Sequence, residues 1–325
     1  MTDGLPVIPA TPENTRKMLD FAGLNGQEIL AAIPERARIL AAEKVAIAAV
    51  MAGCKSSYMP IVAAIVRAMG DPRFGVHGPT ASTAGAAILT IVNGPLAHEV
   101  GINGGDNLFG PGFRANAAIG RAIRLVLMNL AGAKPGILDR STFGHAGKYT
   151  YCIGEREDLA DQTLAELRGY ERQKSTVTVF ACEGTRQIRD DRSRTPEQLL
   201  SNIAAAMSVS GTMILGMDGE CVVIIGPEHW SLLKAHGFGK QEIRKFLFEH
   251  AGRSRSDLEA LHFPVSRLGT GDWIPLVTAP EHILLLVGGG DAGRSSVFIP
   301  GWTNRASSQA VTRPILDHDA CEIQY

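Results

Sequence analysis

Two stretches, TIVNGPLAHEVGI (Thr90–Ile102) and VVIIGPEHWSLLKAHGF (Val222–Phe238), share one form. Each is an apolar run that reads as a strand, breaks at Gly-Pro, and puts a histidine (His98, His229) into the first turn of a helix. The likeness extends outward. A helix ending in Ala-Met precedes each one (Ala68-Met69, Ala206-Met207). A helix containing Ile-Arg follows (Ile123-Arg124, Ile243-Arg244), then a strand entering glycine (Ile153-Gly154, Val287-Gly288). This order predicts an α/β fold built of two similar α/β halves, a degenerate internal duplication, with an N-terminal helical segment. The first half, 1–157, carries the N-terminal helices and a glycine loop; the second is 158–325. The competing reading is coincidence within an alternating chain, and strand order and direction decide between the two. A cleft between such halves is the natural place for a site.

The composition narrows the classes. The chain has 325 residues, 45% hydrophobic and 20% charged, with a net charge of -1. That is the balance of a soluble globular protein, and the absence of a basic block argues against a nucleic-acid partner. The start, MTDGLPVIPATPENTRKML, has no basic segment leading into an apolar core, and no apolar run reaches the ~20 residues of a membrane span. A cytoplasmic protein is expected. Five cysteines, Cys54, Cys152, Cys182, Cys221 and Cys321, are spread with no CxxC pair, which predicts reduced thiols rather than a zinc ribbon or disulfide framework.

Helices are expected at Glu13–Phe21, with Thr11 as N-cap and Pro12 in the first turn, at Gly26–Ile33, Ala41–Ala52, Tyr58–Met69 and Arg114–Gly132. In the second half they fall at Asp158–Tyr170, Pro196–Met207, Glu228–Ala235 and Lys240–Ala251. Strands are expected from Ala86, at Lys148–Gly154, Thr176–Cys182, Cys221–Ile225, His282–Gly288 and Ser296–Ile299. The apolar helices suggest a homo-oligomer.

Four places could carry chemistry. Cys54 sits in VMAGCKSSYMP, where Ser56 or Ser57 would cap the next helix, so that its dipole and Lys55 would favour a thiolate. The bland reading is a small filler between buried helices. The loop GINGGDNLFGPGF (Gly101–Phe113) lets backbone approach a ligand at Gly110 and Gly112, and Arg114 and Asn116 at the next helix start suit an anion. Arg121 and Arg124 could instead form internal ion pairs. STFGHAGKYTYCIGE (Ser141–Glu155) offers His145 and Lys148, with Lys148, Thr150 and Cys152 on one strand face. Finally, Glu228 and His229 follow Gly-Pro, and GGGDAGRSS (Gly288–Ser296) reads as an anion nest or a plain turn. His77, in GVHGP between glycine and proline in a loop, would be exposed or line the site.

TDGLPVIPATPE (Thr2–Glu13), AAEKVAIAAVMAGCKSSYMPIV (Ala41–Val62), GPGFRANAAIGRAIRL (Gly110–Leu125) and GKYTYCIGE (Gly147–Glu155) together resemble a bacterial protein family. Its members are associated with, or fused to, small (seleno)proteins carrying a UGSC motif. In that pattern Cys54 stands in Ala-Gly-Cys-x-x-x-Tyr, and Arg114-Ala-Asn116 follows the glycine loop. No UGSC-like segment occurs here. The resemblance implies a bacterial cytoplasmic enzyme of unsettled activity, a partner module working with thiol or selenol chemistry.

The expectation is a hydrolase or lyase for a small anionic or polar organic substrate. Cys54 is its nucleophile, His145 or His229 its acid/base, and Arg114, Asn116, Gly110, Gly112, Lys148 and His77 its binding residues. The alternatives are a metal enzyme with Cys54, Cys152 and a histidine as ligands, and a non-catalytic accessory subunit. No cofactor motif is present.

Overall fold

The computed structural model describes residues 2–208, 214–265, 268 and 270–316; Cys321 lies outside them. The N-terminal part comprises α1 (Pro12–Phe21), the hairpin β1 (Ile29–Ile33) and β2 (Arg38–Ala41), α2 (Ala42–Ala52), α3 (Met59–Met69) and α4 (His77–Ala81). Thr11 caps α1 and Pro12 opens it, as expected. The expected helix at Gly26–Ile33 is instead strand β1, paired antiparallel with β2. Ala37 turns the chain in the left-handed region at φ 48°, and the partner strand lies beyond any local window of periodicity.

The chain continues through β3 (Ala87–Asn93), α5 (Pro95–Glu99), α6 (Arg114–Asn129), β4 (Cys152–Gly154), α7 (Leu164–Leu167), β5 (Thr176–Cys182) and β6 (Arg186–Arg189). Then come α8 (Pro196–Met207), β7 (Gly219–Ile225), α9 (Pro227–Ala235), α10 (Lys240–His250), β8 (Gly252–Ser254), α11 (Arg255–Ala260) and β9 (Trp273–Pro275). The last strands are β10 (Ile283–Val287), β11 (Ser295–Asn304) and β12 (Val311–Pro314). Two expected elements shrink. Asp158–Tyr170 holds only α7, started by a capping box between Thr163 and Glu166. Lys148–Gly154 is strand only at its end, because residues 146–148 form a 3-10 turn and Thr150 Oγ1 donates to the Asn116 and Ala117 carbonyls. Lys148, Thr150 and Cys152 therefore do not share a strand face. Helix α6 ends at Asn129 with Leu130 as cap; Gly132, expected to close it, lies beyond, at φ 77°.

The main sheet is mixed, in the order β10-β7-β11-β5-β3-β4. On one side β4 is parallel and β5 antiparallel to β3; on the other, β10 is parallel and β11 antiparallel to β7. Registers correspond as well. Thr176 faces Asn93, the residue before Gly94, and Ser296 faces Ile225, the residue before Gly226. The strand after β5, β6, crosses to pair with β11, and the strand after β11, β12, crosses back to pair with β5. Order and direction of the strands thus repeat about the β5–β11 contact, where Gly301 meets Cys182.

Side-chain alternation along the strands builds the layers. Ile88, Val92, Val177 and Val179 pack with α2, α3 and α6, and Cys221, Val223, Ile225 and Leu285 with α8–α10. The other face of both strand groups, including Leu89, Ile91, Phe180, Val222, Ile224 and Leu286, forms one shared apolar cluster. Helix α3 is buried along almost its whole length. Among the described residues no helix is long and apolar enough to cross a membrane.

Candidate functional site

The sequence candidates separate into three places. At the first, α2 ends at Gly53, which is left-handed at φ 87°, and the Cys54 amide donates back to the Ala49 carbonyl. Ser56–Tyr58 form a 3-10 turn before α3, and neither serine caps that helix. Cys54 is 8% exposed. Burial pushes its thiol up to about 12, outweighing the charge of Arg114 nearby. Cys152 is also buried, and burial first, then the nearby Cys54, pushes its thiol up. Arg114 itself donates to the Gly53 carbonyl at 2.9 Å. It supplies positive charge to the C-terminal end of α2, which explains a cation at the start of its own helix. Asn116 is spent on backbone, bridging both polar groups of Asn103 and the Cys152 carbonyl. It holds the glycine loop in place.

At the second place Lys148 Nζ reaches both oxygens of Asp139, at 2.9 and 2.8 Å, and Ser141 Oγ. Arg124 joins at 3.2 Å, while Arg121 pairs with Asp3; the internal ion pairs considered for both arginines are present. Burial alone would raise the Asp139 carboxyl. Hydrogen bonds from Lys148 and Ser141 and the Lys148 charge more than reverse this and hold it at about 2. His145 lines the same hollow of about 340 Å³. Its Nδ1 accepts from the Gly147 amide, and its Nε2 is 3.4 Å from the Cys182 carbonyl. Burial lowers its pKa. His77 is not in a loop: it begins α4 and accepts at Nδ1 from Arg36.

The third place is a cleft of about 920 Å³ where the two strand groups meet. Asn107–Gly110, from the first glycine loop, forms one wall. Gly288–Ser296, from the second, forms the other, and Thr185, Gln187 and Arg189 at β6 together with Gly226–Glu228 complete it. The loops are tied together: the Gly289 amide donates to the Gly104 carbonyl, the Arg156 amide to Val287, and the Arg156 guanidinium to Asp291 at 2.7 Å. Gly110 lines this cleft; Gly112, at φ 124°, faces open space beside it.

On the cleft floor lies Ser296, whose Oγ is 2.8 Å from His229 Nδ1. His229 Nε2 is 3.0 Å from the Asp190 carbonyl. A carbonyl can only accept, so Nε2 carries the proton and Nδ1 offers its lone pair. The Ser296 hydroxyl is therefore the donor, aimed at a base. Burial lowers the His229 pKa. On the rim, Glu228 accepts from the Gly293 and Arg294 amides at 2.6 and 2.7 Å. These bonds, Arg294 first, hold its carboxyl below the ordinary range.

Arg189, Thr185 and Gln187 escaped the sequence reading. Thr185 leads into β6 and the other two sit on it, a four-residue strand whose partner is far along the chain, and such a pairing leaves no local signal. Among the described residues no group of three or more His, Cys, Asp or Glu is placed to hold a metal. Comparison with family models, with curated proteins and with solved structures finds no match.

Proposed function

We propose that this protein is an enzyme, a hydrolase acting on a small anionic or polar organic molecule held in the cleft between its halves. One observation carries the reading: the directed Ser296 hydroxyl–His229 Nδ1 hydrogen bond on the cleft floor. With the Asp190 carbonyl orienting the imidazole, the pair has the geometry of an activated nucleophile. Ser296 Oγ attacks an acyl carbon and passes its proton to Nδ1. The leaving group takes that proton as its bond breaks, and water then releases the acyl group and restores the serine. Convergence of the two glycine loops supports binding at the same place. The internal duplication is part of this reading, supported by the repeated strand order and register.

The thiolate variant, with Cys54 as nucleophile, ranks second because the charged form its chemistry needs is penalised there. Self-association would draw on exposed Ile137 and Phe143. An alkyl fluorophosphonate tests the main reading. Serine displaces fluoride from phosphorus, so the expected product is one phosphonyl adduct on the Ser296 peptide, lost in Ser296→Ala and in His229→Gln. Because burial lowers the His229 pKa, labelling should stay level above pH 7 and fall only below the ordinary histidine value of about 6.5. Absence of an adduct, or an adduct on another serine, ends the proposal.

A further inference from the structure

We propose that the cleft recognises a carboxylate group of its ligand, which takes the place of Glu228 on the Gly293–Arg294 amides. The inference rests on the cleft being the binding site. The two amides converge on a single carboxylate oxygen of Glu228, and the Arg294 guanidinium stands 3.8 Å from the other oxygen. That is a complete carboxylate receptor, already occupied by a side chain of the chain itself. Glu228 sits on the cleft rim in the first turn of α9, partly exposed, so it can swing away without breaking the core. Arg189 on the same rim adds a second guanidinium, paired with the exposed Asp191.

The first half supplies an independent argument. There Glu157 closes the corresponding Gly-Pro turn, accepting from the Gly94 amide and from Asn93 Nδ2, both at 2.8 Å. The parallel registers Ile91–Ile153 and Val223–Leu285 place Gly289 where the first half has Glu157. A Cβ on Gly289 would meet open space. The chain thus fills the turn with its own carboxylate in one half, whereas in the other the equivalent Gly226 amide donates to Ser296 Oγ and Gly289 lines the cleft where the carboxylate would stand.

The test is a titration of wild type and Glu228→Gln with succinate, and separately with inorganic phosphate, followed by amide chemical shifts. Glutamine keeps the shape of the side chain and removes its charge. Removing the competing anion should tighten saturable succinate binding by about tenfold. The shifts should centre on Gly293 and Arg294, and Glu228→Gln/Arg294→Gln should lose the gain. Glu228→Ala provides the same readout if the glutamine variant is poorly folded. Equal or weaker succinate binding, shifts elsewhere, or tighter binding of phosphate than succinate overturns the proposal. Phosphonate labelling of Ser296 is read separately: if it succeeds while succinate fails, the enzyme reading stands and only the carboxylate class is lost.

Discussion

Cys54 shows how one residue's chemistry depends on its surroundings. A thiol at a helix start with a lysine beside it would ionise readily. Here the 3-10 turn at Ser56–Tyr58 separates it from α3, and burial pushes its pKa up to about 12. At neutral pH the thiol keeps its proton, so iodoacetamide should modify Cys54 at least about 100-fold more slowly in the folded protein than in urea. A fast folded-state reaction at Cys54, located by peptide mass, would restore the thiolate reading. A thiol whose folded pKa exceeds its ordinary value near 9 stabilises the fold below that value. It loses the contribution as pH rises toward 12. Cys54 was visible in the sequence as an unusual residue. Its burial was one of two readings left open there, because what decides it is α6 and β4, which arrive from far along the chain.

At the scale of an element, the segment between α6 and β4 has almost no regular structure and is held by a charge knot. Asp139 lies at its centre, 6% exposed, with Lys148, Ser141 and Arg124 around it. A carboxyl held at about 2 contributes stability that is full above pH 4 and lost as pH falls through 2, roughly 2 kcal/mol in all. Urea midpoints at pH 6 and pH 2 should show that loss in the wild type. Lys148→Met should be less stable at pH 6 by a similar amount and less acid-sensitive, because Arg124 alone compensates less of the burial. Equal acid loss in both proteins would remove Lys148 from this account. Lys148 was singled out from its neighbours in sequence as a binding residue, but its partner Asp139 was not, since no periodicity links a turn to a lysine beyond it.

Across the whole molecule, one fully buried ion pair ties α10 to the end of β4. Lys240 at the start of α10 meets Glu155 at the end of β4 at 2.5 Å, both fully buried. The Glu155 carboxylate also accepts from Asn93 and the Leu164 amide. Removing one partner strands a buried charge, so Lys240→Met should cost about 3–5 kcal/mol by urea unfolding, and Glu155→Gln with Lys240→Met should recover part of it. A loss under about 1 kcal/mol for Lys240→Met would show that the pair does not hold α10 against β4. Local periodicity and Gly-Pro breaks were enough to place Thr176–Cys182 and Pro196–Met207 as they occur, and to mark the α/β character of the chain. These features depend on interactions within a few residues. The crossing of β6 and β12, the capping of α2 by Arg114, the ion pair at Lys240 and the Ser296–His229 contact join residues far apart in the chain. Only packing brings them together, so only the tertiary structure could decide which candidates line the cleft.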